Sequence, residues 1–263
     1  MISFVGAGPG AADLITLRGA QRLGAADVVI WASSLVPEAL LDHAGPAAEI
    51  HDSATMTLED VLATYQRHRG AAIVRLHSGD AGIYGAIQEQ IDWCVAHERD
   101  FEIVPGVSSL AAAAAAIGRE LTIPKVAQSV VVTRLGGRTG ASMPPRESVA
   151  AFAAIGATTA VFLSAARPGE LQRELLGATS AYTADTPAAI VVRASWPDEQ
   201  VVATTVGHLA EDLAATGATM TVLVLVGPAL EGLAARSHLY SPAFAHRFRR
   251  RSTPGTTVGR PAR

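Results

Sequence analysis

Cysteine is almost absent from this 263-residue chain: Cys94 stands alone, so no internal disulfide can form. It falls on the apolar side of an expected helix, which reads as a buried, inert thiol. Metal-ligand patterns are missing too. The eight histidines never lie three to five residues apart and none pairs with the cysteine at ligand spacing, so no metal site is expected. The chain also lacks an apolar run of bilayer length. The longest, 110–117, is mostly alanine and too short to span. No basic stretch precedes the first apolar run, so no signal peptide is expected, and the reading is a cytoplasmic protein with no membrane partner. A basic excess is lacking as well. With a formal charge of −3 and a pI near 6.2, nucleic acid is not an expected partner.

What the chain does have is apolar bulk, 49% of its residues, enough to build one large or two ordinary α/β domains. Its most informative stretch is His77-Ser78-Gly79-Asp80-Ala81-Gly82-Ile83-Tyr84-Gly85. An apolar run at 71–76 reads as a buried strand before it, and apolar residues at 87, 91, 94 and 95 read as a helix after it. A glycine turn holding an acid, at the carboxyl end of a strand, is where open α/β sheets bind ligands.

The same grammar recurs. The strand 2–5 opens onto Gly6-Ala7-Gly8-Pro9-Gly10-Ala11, then a helix over 16–23 with Leu17, Ala20, Leu23 and Ala26 on one face. The strand 28–31 ends in the polar turn 32–37, and the strand 48–51 precedes a helix with Thr57 as N-cap and Glu59 and Asp60 as solvated charges. The strand 101–104 ends in Pro105-Gly106-Val107-Ser108-Ser109, with Ser108 or Ser109 capping an alanine-rich helix. Alternating strands and helices from 2 to 118 give an α/β fold with a parallel, doubly wound sheet. The turns at 6–10, 32–37, 77–85 and 105–109 should gather along one edge. Gly6, Gly8 and Ala11 satisfy the dinucleotide pattern, but Pro9 removes an N–H that a pyrophosphate would use, and the helix starts late.

Residues 119–128 read as a linker. A second α/β domain follows over 129–240, with strands near 129–133, 159–163, 188–193, 200–205 and 220–226. A short turn at 194–199 joins two adjacent strands, so this sheet is mixed. The loop 134–145 carries Arg134 and Arg138. Residues 241–263, rich in arginine, read as a disordered tail.

Gly6-Ala7-Gly8-Pro9-Gly10, then Ser78-Gly79-Asp80 with Ile83-Tyr84-Gly85, then Val104-Pro105-Gly106-Val107-Ser108-Ser109 resemble, in that order, the tetrapyrrole (corrin/porphyrin) methyltransferase family over roughly residues 1–230. Residues 31–36, 53–58, 77–80 and 133–139 resemble its branch acting on corrin-ring precursors. The chain departs from that branch at Ser33, at Ala81 and in a longer loop after Thr139. The resemblance implies two α/β domains with the active site in the cleft between them, and a homodimer. It implies S-adenosylmethionine as cofactor, S-adenosylhomocysteine as product, and a small-molecule tetrapyrrole as substrate. Carried over by position, the cofactor residues are Pro9, Ser78, Gly79, Asp80, Ile83, Ser108, Ser109, Leu163 and Ala194. Asp80 and Tyr84 are the candidate catalytic residues, Asp80 either as a positioning carboxylate or as a base. Ser33, Ser34, Arg134 and Arg138 are the candidate substrate residues, since arginine forks suit a carboxylate-edged macrocycle. Three other readings remain open: a uroporphyrinogen III methyltransferase, a relative methylating RNA or protein, and an NAD dehydrogenase.

Overall fold

The computed structural model describes residues 1–136, 141–144 and 146–232, together with 237, 239, 241, 244, 245 and 247. Arg138 and most of the expected tail lie outside the described residues. In chain order the first half contains β1 (Ile2–Gly6), α1 (Leu17–Gly24), β2 (Val28–Trp31), β3 (Glu49–Asp52), α2 (Leu58–Arg67), β4 (Ile73–His77), α3 (Gln88–Ala96), β5 (Phe101–Val104) and α4 (Ser109–Ala116). The second contains β6 (Val130–Arg134), α5 (Val149–Ala153), β7 (Thr158–Phe162), α6 (Pro168–Leu175), β8 (Pro187–Val192), β9 (Gln200–Thr205), α7 (Leu209–Ala215) and β10 (Val222–Val226).

The first sheet runs β3-β2-β4-β1-β5, and every pairing in it is parallel. Alternation along its strands gives two apolar faces. Val5, Val29, Val74 and Leu76 pack with Leu23 and Leu40 on one side, and Ile2, Phe4, Ile30 and Ile73 with Tyr65 and Cys94 on the other. The second sheet runs β6-β7-β10-β8-β9, with only β6 and β7 parallel. It is therefore mixed, as the turn at 194–199 requires.

The alanine run explains how the halves meet. Ala112 and Ala113 of α4, with no bulk beyond Cβ, let this helix lie on the face formed by Ala160, Ala189, Val191, Leu223 and Leu225. The segment 119–128 is packed as it passes between the halves. Ile123 and Ala127 are buried and joined by a bridge, and Leu121 O accepts from Thr158 Oγ1 at 2.8 Å.

Two helix expectations need correction. Leu17 is 85% exposed, and the inward residues of α1 are Gly19 and Leu23. The backbone seats itself at Gly19, where a Cβ would stand 3.0 Å from Val5 Cγ1, so Leu17 is carried outward. Asp60 is a capping residue and not merely a solvated charge. It accepts from Thr57 N at 2.9 Å, while Thr57 Oγ1 accepts from Asp60 N at 3.3 Å.

At the carboxyl ends of β1, β4 and β5 three backbones cross with no room for a side chain. A Cβ on Gly106 would lie 2.1 Å from Gly79 O and 2.7 Å from Gly6 Cα. We expect Gly106→Ala to lower the unfolding free energy by roughly 3 kcal/mol, the cost of forcing backbone apart. Gly70→Ala, which meets nothing within 4 Å, should leave it nearly unchanged. Urea denaturation of the two variants checks this.

Candidate active site

The four turns do gather at one edge, and they face the second sheet across a cavity of about 310 Å³. That volume sits at the lower end of the range for small-molecule sites. From the first half its lining is Pro9, Leu35, Ser78, Ile83, Tyr84 and Ser109. From the second come Phe162 to Ala166, Val191, Ala194 and Thr219 to Leu223. The residues singled out by position therefore divide. Pro9, Ser78, Ile83, Tyr84, Ser109, Leu163 and Ala194 meet around this space. Gly79, Asp80, Ser108, Ser33, Ser34 and Arg134 lie outside its lining.

Apart from Ser34, those outer residues have visible local tasks. Ser108 caps α4, its Oγ accepting from Leu110 N at 3.3 Å. Ser33 N donates to Asp52 Oδ1 at 3.1 Å, which ties the 32–37 turn to the end of β3. Arg134 donates to Gly136 O at 3.3 Å and to Ser142 Oγ at 2.8 Å. Asp80 Oδ2 accepts from Gly106 N at 2.7 Å and Oδ1 from Gly82 N at 2.9 Å. Both oxygens of Asp80 are thus held by backbone amides, and the carboxylate lies outside the cavity lining.

The glycine loop after β1 does not present donors to a pyrophosphate. Gly8 N donates to Gly79 O at 3.1 Å and Gly79 N to Gly8 O at 2.8 Å, so the two turns consume each other's amides. A short 3-10 turn at Ala12–Leu14 separates this loop from α1, so no helix N-terminus opens onto it. The dinucleotide reading loses its physical basis.

The second half reaches over to hold this loop. Trp196 Nε1 donates to Pro9 O at 2.9 Å, and Ala11 N donates to Ser195 Oγ at 3.0 Å. The Arg193 guanidinium lies 4.0 Å from the Trp196 ring centroid while its Nε is 2.8 Å from Asp198 Oδ1. Pro9 is thus fixed at the cavity wall by a ring from the other sheet.

Backbone strain concentrates here. Tyr84, Leu163 and Thr221 line the cavity with φ of 56°, 51° and 57°, and Arg193 and Ser195 flank Ala194 with φ of 50° and 66°. Positive φ at non-glycine residues costs about 1–3 kcal/mol each and clusters at functional sites. The Tyr84 ring packs 5.3 Å from Phe162, across the cleft, and partial burial raises its phenol pKa.

The sequence reading missed Leu35, Phe162, Ser164 to Ala166, Val191 and Thr219 to Leu223. Parallel-sheet patterning points to the turns that follow strands, but β10 runs antiparallel to β7 and β8. Its entry, 219–223, therefore faces the cleft beside their exits. Nothing in local composition marks that reversal.

These features define a two-sheet α/β protein with a small-residue cavity between its halves. The chain belongs to the family of tetrapyrrole (corrin/porphyrin) methylases, whose model matches residues 1–210. It is 46% identical over 253 residues to a precorrin-4 C(11)-methyltransferase of a Sinorhizobium species, covering 95% of this chain and 98% of that one. Its structure is similar to that of a cobalt-precorrin-4 methyltransferase, with 41% identity, a TM-score of 0.82, and 87% and 95% of the two chains covered. It is also similar to a uroporphyrin-III C-methyltransferase of Thermus thermophilus complexed with S-adenosylhomocysteine. That likeness has 27% identity and a TM-score of 0.73, with 88% and 98% covered.

Behind the cavity, His77 is buried at the end of β4 beside Phe4, its Nε2 without a hydrogen bond. Burial first, then the Arg75 charge, push its imidazole down to about 3, against an opposing hydrogen bond to the Gly85 backbone. Below about pH 6.5 the unfolded chain binds a proton that the folded chain refuses, so stability is full above that pH and falls toward 3. The slope reaches about 1.4 kcal/mol per pH unit at most. In urea unfolding from pH 7 downward, His77→Asn should lose stability less steeply than the unmodified protein.

Proposed function

We propose that the protein is an S-adenosylmethionine-dependent methyltransferase that methylates precorrin-4, or its cobalt form, at ring carbon 11 in cobalamin biosynthesis. The observation that carries this reading is the cavity itself, walled by small and apolar residues from both halves, in a chain this close to a precorrin-4 enzyme. The lining fits the cofactor. Ser78, Ser109 and Ala194 leave backbone within reach of polar groups, and Ile83 and Leu163 offer apolar surface to a flat base. When bound, S-adenosylmethionine supplies an electrophilic methyl group, so the chain needs no nucleophile of its own.

The residues then have to hold and align two reactants. In this proposal Pro9, Ser78, Ile83, Ser109, Leu163 and Ala194 hold the cofactor. Gly79 and Ser108 shape the backbone beneath it, and Asp80 braces the turn against Gly106. Tyr84 orients the substrate at the mouth. Ser33, Ser34, Arg134 and Arg138 meet the substrate's rim of carboxylates, where an acidic protein needs local positive charge. Residues 1–118 and 129–240 act as two lobes joined by 119–128, and the working unit is a homodimer. The uroporphyrin-III reading has weaker support, in lower identity and a lower TM-score. No described helix is long and apolar enough to cross a membrane.

Incubation with S-adenosylmethionine and precorrin-4 should add one methyl group by mass, and uroporphyrinogen III in parallel should gain none. The reverse outcome would shift the assignment to the uroporphyrinogen branch. Calorimetry with S-adenosylhomocysteine should show one site, weakened about tenfold or more by Asp80→Ala through loss of two charge-assisted hydrogen bonds. No binding to the unmodified protein would remove the cofactor assignment.

A further inference from the structure

The outer edge of the first sheet carries a cluster of side chains that the cleft does not use. β3 is the edge strand, and Glu49 and His51, two residues apart, project from the same face of it. His68 is the residue at which α2 ends. The fold brings all three together, with one ligand atom from each lying within 4.8 Å of the others. His51 Nε2 is 2.8 Å from Glu49 Oε1, and His68 Nε2 is 3.7 Å from Glu49 Oε2.

His51 and Glu49 are in close contact without a hydrogen bond between them. His51 Nε2 is buried and makes no hydrogen bond, although a carboxylate oxygen stands beside it. The oxygen is off the line that an N–H···O bond requires. An imidazole nitrogen and a carboxylate oxygen are both atoms that ligate a divalent transition metal, and here they face one another with no hydrogen bond joining them. A second imidazole nitrogen, from His68, faces the same carboxylate.

We propose that Glu49, His51 and His68 form a binding site for a divalent transition-metal ion of the zinc class. Two imidazole nitrogens and one carboxylate oxygen are a set that zinc takes, with the fourth position left to water. Calcium and magnesium prefer all-oxygen sets and would not compete. In tetrahedral zinc the ligand atoms sit roughly 3.3 Å apart, from metal–ligand bonds near 2 Å. The two imidazole–carboxylate separations, 2.8 and 3.7 Å, lie on either side of that value. Glu49 is 54% exposed at its side chain, so water and the ion have access.

The surroundings hold the ligands in place. The His68 carbonyl accepts from Arg99 Nη2 at 3.0 Å and from Ala71 N at 3.1 Å, which fixes the backbone under that imidazole. The neighbouring cation, Arg67, is turned away to Thr64 Oγ1 at 3.0 Å. β3 ends in Asp52, which receives Ser33 N and Ala54 N on one oxygen. An ion at this site would fasten the edge strand to the end of α2, one residue from the anchor of the 32–37 turn. The histidine spacing in the sequence argued against any metal site. It gave no warning because these ligands come from alternate strand positions and a distant helix end.

The test is calorimetric titration of zinc chloride into the untagged, chelator-treated full chain, with thermal unfolding followed in parallel. One zinc per chain should bind more tightly than about 10 μM and raise the melting temperature. His51→Ala and His68→Ala should each weaken binding at least tenfold, and magnesium chloride should give no binding. Circular dichroism without metal verifies that each variant is folded. If His51→Ala is not, His68→Asn and Glu49→Gln carry the comparison from less buried positions. No zinc binding by the unmodified protein would overturn the proposal, as would zinc binding that survives in every folded variant.

Discussion

The site depends on three glycines where neighbouring turns cross. Gly6, Gly79 and Gly106 lie at the ends of three neighbouring strands of one parallel sheet; a methyl group on Gly6 or Gly106 would collide with facing backbone, and Gly79 holds a φ of 66°. This crossing sets the distance between the turn carrying Ser78 and the turn carrying Ser108 and Ser109. The paired amides of Gly8 and Gly79 then draw Pro9 into the same layer. Asp80 completes the arrangement from outside, taking the Gly106 amide on one oxygen and the Gly82 amide on the other. A carboxylate accepting backbone amides stabilises a turn more than a neutral acceptor would. The acid that stood out in the sequence therefore serves the cavity by shaping its wall.

One sheet can supply only half of a cavity. The other half arrives because α4 is made of alanine and can lie flush on the second sheet, and because Trp196 and Ser195 bond to the Pro9–Ala11 segment. These contacts differ in kind. The α4 interface is apolar and non-directional, so it brings the sheets together without fixing their rotation. The indole-to-carbonyl bond and the amide-to-hydroxyl bond are directional, and they fix the loop to within hydrogen-bonding tolerance. Gly10 lies between them, where a Cβ would stand 2.2 Å from Trp196 Cδ1, so the ring closes on bare backbone.

Most of the first half was legible in the sequence because its rules are local. Most strands are followed by a turn and then a helix (β2 and β3 are joined through a 3-10 turn at Glu38–His43), parallel order follows from that alternation, and carboxyl-end turns must share an edge. The second half was less legible. Its strands were placed to within a residue or two, but which strand end faces the cleft depends on the antiparallel insertion of β10 between β7 and β8, a long-range pairing with no local signature. That is why Leu163 and Ala194 were reachable through family resemblance while Thr219 to Leu223 were not. Leu17 shows the limit of periodicity from the other side. A four-residue apolar stripe predicted its burial, and close approach at Gly19 rotated the helix away from it.

The strained residues show where rigidity has been favoured over stability. Tyr84, Leu163 and Thr221 keep positive φ around one cavity, although glycine at those positions would relieve the backbone. Each of these side chains contributes surface that glycine could not, and Leu163 is 66% exposed, so core burial does not account for its retention. Leu163 is thus an exposed leucine held in a costly backbone conformation where it lines the cavity. Methyl transfer between two bound molecules rewards such a design, because alignment carries most of the catalysis when the donor is already electrophilic. The chain accordingly invests in fixed backbone around the cavity, with Arg134 outside its lining.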